Sequence, residues 1–146
     1  MFDNLINLLK TSFINLIMKN QIDYSTWVFS SSYNRKFNYN SKYLFEYVIN
    51  NEPSIQPLFV INDDDLRYKL QKKYGEQYFI ETKSFKGIKR VLSSGVWFTS
   101  AGLPVYGLNL NKNRLIINLW HGVPLKKIAL MENNLNPITR IYFKYI

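Results

Sequence analysis

The residues best suited to chemistry lie between Leu115 and Lys127, in the stretch LIINLWHGVPLKK. It contains His121, the only histidine in the chain, and an imidazole can accept a proton near neutral pH. Gly122 allows a ligand close to the backbone, and Lys126 and Lys127 add positive charge within one helical turn. Together these residues predict a phosphate-binding site beside a base. A lone histidine after a strand is also often a structural residue hydrogen-bonded to the backbone, and the local sequence leaves this alternative open.

A strand followed by a helix must position this site. Leu115 to Trp120 predicts a buried strand, and His121 with Gly122 predicts a sharp turn. Pro124 predicts the first turn of a helix, where its missing N–H is not needed. The histidine would then lie at the carboxyl edge of a sheet, where open α/β folds bind ligands, and beside a helix N-terminus, which favours anions.

Four further β-prone runs precede this strand, separated by helical segments. Strands are predicted at Thr26–Ser30, Pro57–Ile61, Tyr78–Ile80 and Val96–Ser100, and helices at Leu66–Lys73, Lys83–Leu92 and after a cap at Asn40 or Ser41. Strands that alternate with helices predict an α/β fold with a Rossmann-like parallel sheet. No glycine-rich dinucleotide or P-loop motif follows any strand, which excludes those two classes of nucleotide site.

Polar loops after two of the strands supply further candidate ligands. Ser31 and Arg35 follow the first strand, and Ser100 and Gly102 belong to a loop of small residues with free N–H groups, a plausible phosphate cradle but also a common turn composition. The run Asp63–Asp65 can hold a divalent cation, but acids also complement the dipole of a helix's first turn. We favour the second interpretation and predict no metal site.

The charge of the chain indicates which partners it can bind, and its cysteine content indicates the cellular compartment. The chain carries 19 basic against 10 acidic side chains, which suits a polyanionic acceptor or an anionic membrane, although a general Asn, Lys, Ile and Tyr bias gives the same balance. The basic helix at Lys83–Leu92 lacks a recognised nucleic-acid motif, so no nucleic-acid partner is predicted. The absence of cysteine fits a reducing compartment, and we expect a cytoplasmic protein.

Residues 1–20 are predicted to form an amphipathic helix, because apolar side chains recur near the 3.6-residue period from Phe2 to Ile17. It is either an interfacial anchor or a helix packed on its own domain. The second is favoured because Lys10 and Lys19 are its only basic residues. Residues 131–146 end on apolar side chains, so we expect them to begin a further segment of a truncated chain.

The run WHGVPLKKI closely resembles the signature of the CDP-glycerol glycerophosphotransferase family, whose members build teichoic acids and related capsule polymers. Phe29 to Val48 resembles the family's first strand with its following loop and helix, and Val96 to Tyr106 resembles the segment before the WHG turn. The three stretches occur in the family's order and spacing. The resemblance covers roughly Tyr24 to Leu130.

This resemblance implies that residues 21–130 are the N-terminal, acceptor-side domain of a GT-B-type transferase without a cofactor. The family moves glycerol phosphate from CDP-glycerol to a polyol-phosphate acceptor, which can be lipid-linked, at the cytoplasmic face of the membrane. His121 takes the role of general base. Acceptor and phosphate contacts are expected from Gly122, Lys126, Lys127, Ser31, Arg35, Ser100 and Gly102.

The resemblance also assigns the donor-binding groups to a C-terminal domain, so this chain is expected to be inactive when isolated. Two alternatives remain open from the sequence. One is a related sugar-phosphate or polyol-phosphate capsule polymerase. The other is a non-catalytic domain that binds a polyanion or a membrane surface.

Overall fold

A computed structural model describes residues 2–18, 22–108, 110 and 113–122 of the 146-residue chain, without the side chains of residues 2–5. The elements are α1 (Phe2–Ile17), β1 (Asp23–Ser30), α2 (Tyr39–Asn51), β2 (Gln56–Val60), α3 (Asp64–Tyr74), β3 (Phe79–Ile80), α4 (Phe85–Leu92), β4 (Ser94–Thr99) and β5 (Leu115–Asn118). Short 3-10 helices lie at Ser32–Asn34 and Glu76–Tyr78. The helix predicted after Gly122 and the predicted segment 131–146 lie outside the described residues.

The five strands form one sheet in the order β3-β2-β1-β4-β5, and every neighbouring pair is parallel. In the central strand, Val28 pairs with Leu58 on one side and with Trp97 on the other. The chain adds β2 and β3 to one side of β1 and then β4 and β5 to the other, so the strand order reverses between β1 and β4. The predicted α/β, Rossmann-like parallel fold is confirmed.

Helices cover both faces of the sheet, because its inner strands carry apolar side chains on both sides. On one face, α1 and α4 pack over a cluster that includes Ile14, Ile88 and Trp97. On the other, α2 and α3 pack over an aromatic cluster in which the ring centroids of Phe29 and Phe45 are 5.5 Å apart. The sheet, including its carboxyl edge, is therefore held between two layers of helices.

The last strand differs from its prediction. The sequence predicted a buried strand from Leu115 to Trp120, but β5 ends at Asn118, and Leu115 and Ile116 are 54% and 46% exposed. The prediction of burial was wrong because β5 lies at the edge of the sheet, paired with β4 on one side. An edge strand with the same apolar residues leaves part of them in solvent.

Helix starts also shift from their predicted positions. Helix α2 begins at Tyr39 with Asn38 as its N-cap residue, rather than with Asn40 or Ser41 as predicted. Helix α4 begins at Phe85, where the sequence predicted a start at residue 83. Phe85, the first residue of the helix, is 47% exposed.

The acidic run after β2 serves the start of α3. The Asp63 carboxylate accepts the Leu66 N–H at 2.9 Å and caps the helix. Asp64 lies 2.7 Å from the Arg67 guanidinium and 3.0 Å from the Lys83 ammonium, and hydrogen bonds from these two cations hold its pKa below the usual range. The interpretation as helix-capping acids is confirmed.

Helix α1 packs on the same face of the sheet as α4. The row of large apolar side chains along α1 does not make this contact. Ile14 and Thr11 are buried, whereas Leu9, Phe13 and Leu16 are each more than half exposed. The prediction of a helix packed on its own domain is met by Thr11 and Ile14, and the alternative of an interfacial helix stays a prediction. Among the described residues, no helix combines the length and apolar character needed to cross a bilayer.

Arg114 is a buried cation that the sequence analysis missed. Its guanidinium lies 4.2 Å from the Trp97 ring centroid, and burial lowers its pKa to about 10. Its Nε donates to the Ser94 carbonyl at 3.0 Å, and its Nη2 donates to the Leu92 carbonyl at the end of α4. No acidic side chain pairs with it in the described part of the chain. The arginine therefore joins the end of α4 to the start of β4 through carbonyl groups.

We expect Arg114→Met to lower the free energy of unfolding by about 2 kcal/mol. The substitution removes donors from two carbonyls, and this loss exceeds the relief of removing a buried charge. Arg90→Met is the matched control, because Arg90 lies exposed on the neighbouring helix. Urea unfolding measures both changes, and equal changes in the two variants would contradict the role of Arg114.

Candidate active site

A tight turn after β5 presents His121 at the carboxyl edge of the sheet. The Leu119 N–H donates to the Thr99 carbonyl at 2.7 Å, which extends the pairing of β5 with β4 by one residue. Trp120 then adopts a positive φ of 57°, and its N–H donates to the Asn118 side-chain oxygen at 3.0 Å. A left-handed residue at this point ends the strand and redirects the chain. The predicted strand-to-turn geometry at His121 is therefore present.

Asn40, in the first turn of α2, fixes this turn from outside. Its side-chain amide donates to the Leu119 carbonyl at 2.8 Å and to the Trp120 carbonyl at 3.0 Å. The sequence predicts a capping role for Asn40 and not this contact. Its contact crosses about 80 positions of the chain, and no local pattern predicts such a contact.

The His121 ring is oriented by a backbone carbonyl and an aromatic neighbour. Its Nδ1 lies 2.7 Å from the Ser100 carbonyl oxygen, and its ring centroid lies 5.0 Å from that of Tyr39. A carbonyl oxygen can only accept, so Nδ1 carries the hydrogen in this bond. In the neutral ring, Nε2 then holds the lone pair. The tautomer with a basic Nε2 is the one that the fold selects.

Ser100 supports the site rather than facing open solvent. Its N–H donates to the Ser30 carbonyl at 3.2 Å, and its hydroxyl oxygen accepts the Ser41 N–H at 2.9 Å. The Ser41 hydroxyl lies 2.7 Å from the same oxygen. The Asn38 side chain makes no capping bond, so Ser100 takes the place of the usual N-cap acceptor for α2. With these contacts Ser100 is almost fully buried, and its hydroxyl is occupied within the protein.

A cleft of about 810 Å³ opens at the same edge, where the strand order reverses between β1 and β4. Its walls come from the loops after β1, β2, β3 and β4 and from helix α1. Of the residues predicted to contact phosphate, Arg35 and Gly102 line it. The Arg35 guanidinium makes no ion pair within the described ranges, whereas Lys83, which also lines the cleft, contacts Asp64. The cleft thus offers positive charge at a topological switch point.

The cleft's loops are held in shape by polar contacts between β1 and β4. The Ser30 hydroxyl donates to the Gly102 carbonyl at 2.8 Å. Gly102 has a φ of 103°, and a Cβ there would lie 2.9 Å from the Tyr106 hydroxyl, so a side chain would be strained. The Ser31 hydroxyl, predicted as a ligand, donates to the Asn38 main-chain oxygen at 3.2 Å, and Ser31 does not belong to the residues that line the cleft.

Asn34 is a second residue that the sequence analysis missed. Its amide nitrogen donates to the Leu103 carbonyl at 3.3 Å and to the Pro104 carbonyl at 2.9 Å, so it ties the β1 loop to the β4 loop. It adopts a positive φ of 56°, which asparagine tolerates better than most residues. It also lines the cleft. Its side-chain oxygen is buried and accepts no hydrogen bond in the described part of the structure.

The predicted site residues divide between two places. His121 and Ser100 meet beside the first turn of α2, and Arg35 and Gly102 meet in the cleft beside α1. The Ala101–Tyr106 loop begins directly after Ser100 and forms one wall of the cleft, so the two places are adjacent at one sheet edge. A Cβ on Gly122 would meet nothing within 4 Å, so this residue lies open. Lys126 and Lys127 lie outside the described residues.

Comparison with known proteins identifies the family of this chain. A family model described as CDP-glycerol:poly(glycerophosphate) glycerophosphotransferase matches residues 11–142. The chain is 26% identical over 104 residues to the teichoic acid poly(glycerol phosphate) polymerase of Staphylococcus epidermidis. That match covers 71% of this chain but 14% of the relative's length. No solved structure matches the chain. Because the family model spans most of the sequence, including the WHG turn, the chain belongs to the CDP-glycerol:poly(glycerophosphate) glycerophosphotransferase family, as the resemblance predicted.

Proposed function

We propose that this chain forms the acceptor side of a transferase that moves glycerol phosphate from CDP-glycerol to a poly(glycerol phosphate) acceptor. Family membership and the relative's name support the reaction class. The observation that carries the assignment of residues is the 2.7 Å contact between His121 Nδ1 and the Ser100 carbonyl, because it leaves Nε2 as the basic nitrogen.

In the proposed step, His121 Nε2 removes the proton from the terminal hydroxyl of the acceptor. The hydroxyl oxygen attacks the β-phosphorus of CDP-glycerol, and the bond from this phosphorus to the bridging oxygen breaks. CMP leaves with that oxygen, and the acceptor is longer by one glycerol phosphate. The proton on Nε2 passes to solvent before the next turnover, while Nδ1 remains bonded to the Ser100 carbonyl.

The cleft beside α1 is proposed to hold the phosphates of the acceptor. Arg35 has a free guanidinium, within the described residues, and arginine binds phosphate oxygens in a fixed geometry. The acceptor is a polyanion, so a positive cleft next to the base can hold preceding units while the terminal hydroxyl reaches His121. Phosphate contacts from Gly122, Lys126 and Lys127 remain predictions.

The resemblance places the donor nucleotide on a C-terminal, GT-B-type domain, and we therefore confine this chain to the acceptor side. We also infer a cytoplasmic location at the inner membrane surface, where an acceptor attached to lipid would be reached.

His121→Asn in an active transferase that contains this chain is expected to lower kcat by about a hundredfold or more, because a general base contributes about 10² to 10⁴. Asparagine can still donate to the Ser100 carbonyl but has no basic nitrogen. Release of CMP measures the rate. Tyr39→Phe keeps the ring beside position 121 and should retain most of the activity. Near-normal turnover of His121→Asn would show that this residue is not the base.

Arg35→Gln is expected to raise the acceptor KM about three- to tenfold with little change in kcat, and to weaken the dependence of KM on salt. Lys72→Gln is the control, since it removes the same charge from exposed helix α3. Acceptors of increasing length would be assayed at several salt concentrations. A KM that is equally salt-dependent in the variant and the parent would remove Arg35 from the acceptor site.

Residues 1–146 purified alone should release no CMP from CDP-glycerol and should not bind CDP-glycerol in a calorimetric titration. In the proposed division of the reaction, the donor and the attacking hydroxyl are aligned across two domains, and this alignment supplies much of the rate. Addition of a short poly(glycerol phosphate) in a parallel titration tests the acceptor side. Micromolar binding of CDP-glycerol would instead put the donor site in this chain.

A further inference from the structure

One buried hydrogen-bond acceptor in the wall of the cleft has no partner in the described part of the chain. It is the side-chain oxygen Oδ1 of Asn34, a residue that is 9% exposed and lines the cleft. The nitrogen of the same amide donates to the carbonyls of Leu103 and Pro104 at 3.3 and 2.9 Å. Because a carbonyl oxygen can only accept, these two bonds fix which end of the amide is the nitrogen. The fold therefore holds the amide oxygen of Asn34 as a free acceptor.

A buried acceptor of this kind costs free energy until something donates to it. Buried polar groups in native proteins are nearly always hydrogen-bonded, and an unpaired one bears the full penalty of its removal from water. Asn62, which also lines the cleft, shows the contrast. Its oxygen accepts the Thr82 N–H at 2.7 Å, and its nitrogen donates to the Thr82 hydroxyl at 2.9 Å. Asn34 lacks such a partner for its oxygen, and a ligand held in the cleft can supply the donor.

The backbone beside this acceptor is strained. Tyr33 and Asn34 both adopt left-handed conformations, with φ of 52° and 56°. Asparagine tolerates this conformation, but a tyrosine rarely adopts it. The Tyr33 residue is 90% exposed, so burial of its ring does not offset the strain. Strained residues cluster at ligand sites, and Tyr33 also lines the cleft, so the strained turn forms part of the cleft wall.

Arg35 places a phosphate-binding group next to the free acceptor. It follows Asn34 directly, and consecutive Cα atoms lie about 3.8 Å apart, so both side chains start from one part of the cleft wall. The guanidinium binds phosphate oxygens, and the amide oxygen accepts a proton donor. A cationic donor is disfavoured, because Lys83 and Arg35 already bring positive charge to the cleft. The ligand that satisfies both groups carries a phosphate and a neutral hydroxyl a few bonds apart.

We propose that Asn34 Oδ1 accepts a hydrogen bond from the free hydroxyl of a glycerol phosphate unit whose phosphate is bound by Arg35. In a linear poly(glycerol phosphate), two of the three oxygens of each glycerol form phosphate linkages and the third keeps its proton. An ester or a sugar on the third oxygen would remove that proton, so the cleft would select unsubstituted units. Because Oδ1 is buried in the free chain, the strained turn shifts slightly when the unit binds. The identity of the ligand rests on the proposed function.

Calorimetric titration of residues 1–146 with two oligomers tests this contact without donor or catalysis. One is a short glycerol phosphate oligomer, and the other is a propanediol phosphate oligomer with the same number of phosphates but without the free hydroxyl of each unit. The chain should bind the glycerol oligomer about tenfold more tightly, because the other oligomer leaves the buried acceptor unpaired. The two oligomers carry equal charge, so Arg35 contributes equally to both affinities.

Asn34→Gly should abolish this preference, because it removes the amide at a position whose positive φ suits glycine. Loss of the bonds to the β4 loop would weaken the binding of both oligomers equally, so the ratio of the two affinities isolates the hydroxyl contact. Asn7→Ala is the control, since it changes an exposed asparagine that lines the same cleft and should keep the preference. Circular dichroism checks that both variants keep the fold.

The possible outcomes separate this inference from the proposed reaction. Equal binding of both oligomers by the parent chain, or a preference that persists in Asn34→Gly, would overturn the hydroxyl contact and leave the reaction standing. Failure of the chain to bind either oligomer would overturn both the contact and the acceptor-side assignment. A preserved preference alongside near-normal turnover of His121→Asn would support the contact and remove only the assignment of the base.

Discussion

The site depends on one residue at the end of β4. Ser100 bonds to β1 through its N–H, to the first turn of α2 through its hydroxyl, and to His121 through its carbonyl. Each of these groups is buried or nearly so, and a buried polar group that lacks a partner costs free energy. The three contacts therefore fix the relative positions of a strand, a helix and the imidazole at once. The hydrogen bond that sets the His121 tautomer is a consequence of how the sheet and α2 are joined.

The parallel sheet explains why these groups meet. Strands β1, β4 and β5 run in the same direction, so their carboxyl ends lie at one edge, and the loops that follow them are neighbours. The reversal of strand order between β1 and β4 separates two of these loops and leaves room for the cleft. Ser30 and Asn34 then cross this gap with hydrogen bonds to the β4 loop. The strand order of the sheet determines where the cleft lies, and the hydrogen bonds across it determine the shape of the cleft.

The sequence predicted features that depend on short-range patterns. The β-prone runs located each strand in the described part of the chain, and the glycine and proline around His121 predicted a turn at the carboxyl edge. It did not predict features that depend on which segments become neighbours. β5 has the composition of a buried strand but occupies the sheet edge, so its apolar residues are exposed.

The missed residues have the same explanation. The sequence predicts Asn40 as a possible helix cap and indicates no role for Arg114. The roles of both residues come from carbonyl groups that lie close to them only in the folded chain. Helix α1 shows most clearly what a sequence pattern cannot predict. Its period correctly predicted an amphipathic helix, but periodicity does not state which face meets the domain, and the inward face is the one with Thr11.

The choice of a carbonyl as partner for His121 bears on how the proposed base would work. A carboxylate beside Nδ1 would strongly stabilise the imidazolium form and hold the proton after its transfer. Within the described residues, His121 contacts a carbonyl dipole and aromatic rings instead, and no carboxylate contacts it. The ring is therefore oriented by a neutral acceptor. In the proposed step its two nitrogens keep separate tasks, because Nδ1 stays bonded to the protein and Nε2 is left for the hydroxyl of the acceptor.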